Sequence, residues 1–183
     1  MADTFNCLTP GQVEVVAMVP DTGAPIHIGD LVFQDPITKK ARTAASMIAQ
    51  GSEALNQGAL HDLFAGVAVQ RGGALESGEV SFNLNPLPGQ IIVAISGTFL
   101  FTSTSQTWNP GDLVGGYSTA NGQLAAQKVD LVTTGNKSIG IAAPTPHALA
   151  DGTAKTQVAV RIKSTIFGGG VPATQIGSSS GAV

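Results

Sequence analysis

Two stretches of this chain, IHIGDLV (Ile26–Val32) and WNPGDLV (Trp108–Val114), share the tetrapeptide Gly-Asp-Leu-Val, and their common reading decides the fold. A Gly before an Asp suits a turn, because Gly adopts the positive φ that other residues resist. The Asp carboxylate is expected to accept backbone N–H groups a residue or two ahead. The Leu-Val that follows then launches an inward-facing strand. A motif written twice in the same setting predicts one structural task performed twice.

The likeness extends downstream. GVAV (Gly66–Val69) is matched by GIAA (Gly140–Ala143), and Leu75–Gly78 (LESG) by Leu149–Gly152 (LADG). Gly66 to Gly78 and Gly140 to Gly152 are both twelve positions apart. Each copy then enters a strand, EVSFNL (Glu79–Leu84) in the first and TQVAVRI (Thr156–Ile162) in the second. Gly29 and Gly66 lie 37 positions apart, Gly111 and Gly140 only 29, so the first copy carries about eight more residues in its middle. Gly-rich segments also match by chance, but equal spacing with matched Leu and Gly favours an internal repeat.

Around these anchors the pattern is that of strands and turns. QVEVVAMV (Gln12–Val19) predicts a strand, QDPITKK (Gln34–Lys40) a reversal, and IIVAISGTFLF (Ile91–Phe101) a β-rich run after the turn NPLPGQ. The helix candidate lies within Thr43–Phe64, with apolar Ala45, Ile48, Ala49, Leu55, Leu60 and Phe64. Gly51 and Gly58 predict one short helix or an irregular loop there. The division is an N-terminal arm with a strand over 1–21, a first β module over 22–105, a second over 106–167, and an extended Gly/Ser-rich tail over 168–183.

Charged residues make up 11% of the 183, against roughly 25% in ordinary soluble domains, while 43% are apolar and 23 are Gly. So little charge predicts a surface that touches other protein. Nine Lys plus Arg, scattered and outnumbered by twelve Asp plus Glu, leave no basic footprint for direct nucleic-acid binding. The apolar runs are too short and Gly-broken to span a bilayer, so no membrane partner is expected. The N-terminus has no basic region leading into an apolar core, and synthesis in a cytoplasm is the expectation.

The residues that carry chemistry are few. Cys7 is the single cysteine and is read as a small hydrophobe. His27, His61 and His147 lack metal-ligand spacing; His27 is expected on the solvent side of a strand and His147 packed in a loop, while His61 and Asp62 fall on different helix faces. Glu76 and Glu79 flank a Gly turn, and Asp30 and Asp112 occupy one duplicated position, so neither pair suggests acid-base work. No G-x-S-x-G or Walker pattern occurs. No catalytic, cofactor or metal residues are assigned, and the expectation is a non-enzyme. A carbohydrate-binding or head-fibre module would want an aromatic platform, for which Trp108 and Tyr117 are the candidates, Trp108 being expected instead in core or turn packing.

The order GDLV, then GVAV or GIAA, then a Leu-x-x-Gly turn and a Val-rich strand, with SGEVSFNLNPLPGQIIVAISGTF closing the first copy, resembles the small β-rich decoration, or cement, proteins of tailed bacteriophage heads. The resemblance covers most of Pro25 to Ile162. The resemblance implies a β-barrel or β-tulip-like domain; with the repeat, the expected fold is mostly β, two related small β-barrel or β-tulip-like modules with one short helix, an extended N-terminal arm and a C-terminal tail. The resemblance further implies a homotrimer on the outer surface of an icosahedral virion, stabilising the shell by bridging subunits of the major capsid protein, with no cofactor. Two modules in one chain, and the tail, depart from that pattern.

Overall fold

The computed structural model describes residues 13–74, 89–144 and 154–168. Twelve strands are assigned among them. The first seven are β1 (Val15–Met18), β2 (Pro25–Ile26), β3 (Leu31–Gln34), β4 (Ala41–Thr43), β5 (Phe64–Ala68), β6 (Gly72–Gly73) and β7 (Ile91–Ala94). The last five are β8 (Ser96–Thr107), β9 (Leu113–Ser118), β10 (Leu124–Leu131), β11 (Gly140–Ala142) and β12 (Ala154–Lys163). One α-helix, α1 (Glu53–Leu63), lies between β4 and β5. The chain is mostly β, as expected.

Strands β8 to β12 form a closed barrel in the order β10-β8-β12-β11-β9. Strands β1, β3, β4, β5 and β7 form an antiparallel sheet in the order β1-β7-β5-β3-β4. Its two outer strands approach at one parallel bridge, Pro20 with Ala41, where Asp21 N–H donates to the Ala41 carbonyl (2.9 Å) and Ala41 N–H to that of Val19 (2.8 Å). In the barrel the corresponding seam is also parallel, pairing β10 with β8 at Lys128–Thr102 and Val129–Ser103. β2 and β6 make a separate two-stranded ladder.

The registers of the two strand sets agree residue for residue. Leu31 lies opposite Val67 and Val32 opposite Gly66; Leu113 lies opposite Ile141 and Val114 opposite Gly140. Ala68 faces Val93, and Ala142 faces Val160; Val93 faces Val16, and Val160 faces Phe99. The echoed tetrapeptides therefore begin equivalent strands, and β1, β3, β4, β5 and β7 correspond to β8, β9, β10, β11 and β12. α1 occupies the gap between β4 and β5, where the second set has only a 3-10 turn at Gly135–Lys137, which accounts for the longer middle of the first copy.

Register also revises three expectations. β12 corresponds to β7 and not to Glu79–Leu84, which lies outside the described residues, as do the two Leu-x-x-Gly turns. The run Ile91–Phe101 is two strands broken at Ile95: β7 belongs to the sheet and β8 wholly to the barrel, so the strand sets divide there and not at 105. β1 is not part of an arm, since it pairs with β7 along its whole length. The rest of the expected arm and the expected tail, residues 1–12 and 169–183, lie outside the described residues.

Two apolar clusters explain why the halves stay together. Met18, Ile26, Val32, Ala41, Ala65, Ala68, Ile91 and Val93 fill one face of the sheet. The other face contributes Leu31, Phe33, Phe64, Val67 and Ala94 to a single cluster with barrel residues such as Phe99, Phe101, Trp108, Val114, Val129 and Val160. Successive strand residues point to opposite faces, so Leu31, Val32 and Phe33 are all buried because both faces of β3 are covered. This is why LVF and FAGVA read as continuous apolar runs.

The glycines that open GVAV and GIAA have one cause. A Cβ on Gly66 would collide with the Ala94 carbonyl, and a Cβ on Gly140 with that of Arg161, two carbonyls at equivalent places in β7 and β12. Gly66 also has a φ of +149°. Gly66→Ala is expected to destabilise the fold by at least about 2 kcal/mol and Gly140→Ala by about 1–3 kcal/mol. Gly58→Ala, helical and 3.8 Å from its nearest neighbour, should stabilise by roughly 0.5–1 kcal/mol. Denaturant titrations of the three variants check the ordering.

Candidate functional site

The two Gly-Asp turns have one geometry. Asp30 N–H donates to the His27 carbonyl and Asp112 N–H to that of Asn109, both at 3.1 Å, and Gly29 and Gly111 have φ of 92° and 93°. A positive φ at the third of four residues, closed by this bond, describes a type II turn, and Pro110 occupies the second position that such turns favour. The carboxylates reach backwards rather than ahead: Asp30 accepts from His27 N–H (2.8 Å) and Asp112 from Asn109 N–H (2.7 Å). Gly29 and Gly111 N–H then donate to Ala68 and Ala142, each at 2.8 Å, which pins each turn to the next strand.

The two turns differ in what covers them. Asp30 is fully buried, and its second oxygen accepts from Gln127 Nε2 (2.9 Å), which also donates to the Ile28 carbonyl (3.2 Å). This clasp joins β10 of the barrel to the turn of the sheet. Asp112 is half-buried and bound within its own turn.

The helix makes further clasps. Its N-terminus is capped by Ser52, whose hydroxyl accepts from Leu55 N–H (3.3 Å). Its buried face carries Asn56, Gln57, Leu60 and His61. Asn56 Nδ2 donates to the Gly122 carbonyl (2.7 Å), and Gln57 Nε2 to that of Gly116 (3.1 Å). His61 Nδ1 lies 2.6 Å from the Ser138 carbonyl, which can only accept, so Nδ1 carries the proton. A Cβ at Gly116 would meet Leu60 Cδ2 at 2.7 Å, so the bare backbone of β9 admits the helix. Of the apolar positions in the helix candidate, Leu60 and Phe64 are buried, whereas Leu55 is exposed because α1 packs on carbonyls that require donors, and Ile48, which precedes α1, is exposed in the loop.

The remaining candidates are placed as follows. His27 is buried, its Nδ1 3.8 Å from Asp30 Oδ2, and not on the solvent side of a strand; the turn that Asp30 closes and β10 covers encloses it. Asp62 is exposed and directed away from His61. Trp108 is fully buried, its Nε1–H donating to Ser103 Oγ (3.2 Å), and therefore packs the core as expected. Tyr117 lies under the Lys128 ammonium, 3.9 Å from its ring centre, a cation–π contact. Cys7, Glu76, Glu79 and His147 lie outside the described residues, among which no three His, Cys, Asp or Glu side chains gather in a metal-holding group. No described helix is long and apolar enough to cross a membrane.

What the surface offers is apolar and preorganised. Residues 48–55 are all exposed, with Ile48 and Leu55 at the two ends, and Asn56 Oδ1 holds the loop by accepting from Gln50 N–H (2.6 Å). At the tip of the β3–β4 hairpin, Ile37 is 88% exposed. That tip is stiffened by Asp35, which accepts from Ile37 and Thr38 N–H (2.9 and 2.8 Å) and pairs with Arg42 Nη1 (3.1 Å). Arg42 pairs also with Asp21.

Compared with known proteins, the sequence matches no family model and no curated protein.

Gln127→Ala is expected to cost about 1–3 kcal/mol by withdrawing the donor from the buried Asp30 carboxylate. Gln127→Glu should cost more, because it sets a second carboxylate against the first; thermal unfolding checks the order. The Thr38 N–H, with that of Ile37 and the Arg42 guanidinium, holds the Asp35 carboxyl down to about 2 from 3.8. A depressed folded value means that Asp35 stabilises fully above about pH 4 and that this contribution is lost as pH falls towards 2. Unfolding of Asp35→Asn across that window should show a shallower acid loss than wild type.

Proposed function

We propose that this chain is a structural virion protein that binds the outer surface of an icosahedral phage head and stabilises the shell by bridging major capsid subunits. The observation that carries the reading is the exposed apolar side chains, Ile37, Ile48 and Leu55, held on stiff supports by a chain of unusually low charge. Exposed apolar groups fixed in advance lose little entropy on docking and suit protein–protein contact. The doubled β framework adds to this, because two rigid units in one chain span neighbouring capsid subunits. The phage-head resemblance of the GDLV and GVAV order supplies the partner and the homotrimer. Burial of Trp108 removes one of the two candidate aromatics from a carbohydrate-binding platform, so the head-fibre or sugar-binding reading has less support.

The test is co-sedimentation with purified shells that lack this protein, followed by heating. Bound protein and a higher rupture temperature are expected, with Ile48→Asp and Leu55→Asp reducing binding by on the order of tenfold each. Protein that stays in the supernatant, or shells that rupture unchanged when coated, would overturn the reading.

A further inference from the structure

The paired strands of the two sets match in register, so a contact made by the strands and turns of one set has a counterpart position in the other. Within the chain one clasp runs from the barrel to the Gly-Asp turn of the sheet. The barrel supplies Gln127 and the β9–β10 tip at Gly122; the sheet receives them at the turn of Ile28 and Asp30 and at Asn56. Register identifies the counterparts. Ala41 lies opposite Gln34 and bridges Pro20, just as Val129 lies opposite Gly116 and pairs with Ser103. Counted two residues back from each, Lys39 in the hairpin turn takes the sequence position of Gln127, although the β9–β10 ladder shifts register between Leu124 and Val129. The acceptors matching the Ile28 carbonyl and Asp30 Oδ1 are the Pro110 carbonyl and Asp112 Oδ1.

Both counterparts are bare. Among the described residues no donor reaches the Pro110 carbonyl or Asp112 Oδ1, the only contacts of the carboxylate being those of Oδ2 with Asn109. Lys39 is exposed, and its ammonium has no carboxylate partner among the described residues. Ile37 stands at the matching hairpin tip, whereas the β9–β10 tip is seated against the helix through Asn56. The hairpin is braced for docking: Lys39 N–H donates to the Asp35 carbonyl (2.9 Å), and its own carbonyl accepts from Gln34 Nε2 (3.3 Å). A cation on one bare surface thus meets an anion on the other.

We propose that copies of this chain associate head to tail, the β3–β4 hairpin of one copy seating on the Asn109–Asp112 turn of the next. The Lys39 ammonium donates to the Asp112 carboxylate and the Pro110 carbonyl, repeating between chains the contact that Gln127 makes with Asp30 within one. Such a contact joins unlike surfaces, so it closes into a ring or continues as a filament. The inference stands on the matched Gly-Asp turns and on charge complementarity, not on shell binding, so either can fail without the other.

Light scattering on size-exclusion fractions of the full chain, across a dilution series, reads the association. Wild type is expected to form oligomers. Lys39→Asp, at a position whose φ of 59° suits Asp, should weaken them by on the order of tenfold. Asp112→Lys should do the same, and the double variant should recover most of the loss. Asp112→Asn keeps an acceptor for Asn109 N–H and serves if the Lys variant unfolds. A wild type that is monomeric at every concentration, or oligomers indifferent to Lys39→Asp, would overturn the proposal.

Discussion

The structure depends on the burial of both faces of β3 and β5. One face of the sheet has its own apolar filling, and the other shares the core of the barrel. Apolar burial contributes roughly 25 cal/mol per Å², so residues such as Leu31, Phe64 and Val67, which share one cluster with the barrel, hold the two strand sets together. The repeat is thus visible as two circuits of strands but not as two separable bodies.

Polar contacts decide how the circuits meet. A shared apolar surface is non-directional and would tolerate sliding. Gln127 on Asp30, Asn56 on Gly122, Gln57 on Gly116 and His61 on Ser138 each tie a side chain of one set to a defined group of the other. Ser164 and Thr165 at the end of β12 add bonds to the Phe64 carbonyl. Leaving any of these buried groups without a partner would cost free energy, so they select one orientation.

Much of the scaffold was legible because it obeys local rules. Gly29 and Gly111 stand where a turn needs a positive φ, and the spacing between repeated motifs survives as strand register. The helix was located but its buried face was not: Asn56 and Gln57 look like solvent residues, and only the carbonyls they meet make them core. His27 was misplaced for the same reason, since what encloses it comes from Asp30 three residues on and from β10 about a hundred residues away. The break at Ile95 left no mark, because the apolar pattern of Ile91–Ala94 resumes at Phe99–Phe101 after only a few residues.

By itself the sequence determined the β content, the duplicated Gly-Asp turns and the matched spacing of the motifs that open equivalent strands. These follow from backbone sterics and side-chain alternation, which act over a few residues. Only the tertiary structure decided that the first strand belongs to the sheet, that β8 belongs to the barrel, and that Asp30 is buried while Asp112 is half-exposed. Those outcomes depend on which distant surfaces come together, and two identical tetrapeptides cannot differ until something covers one of them.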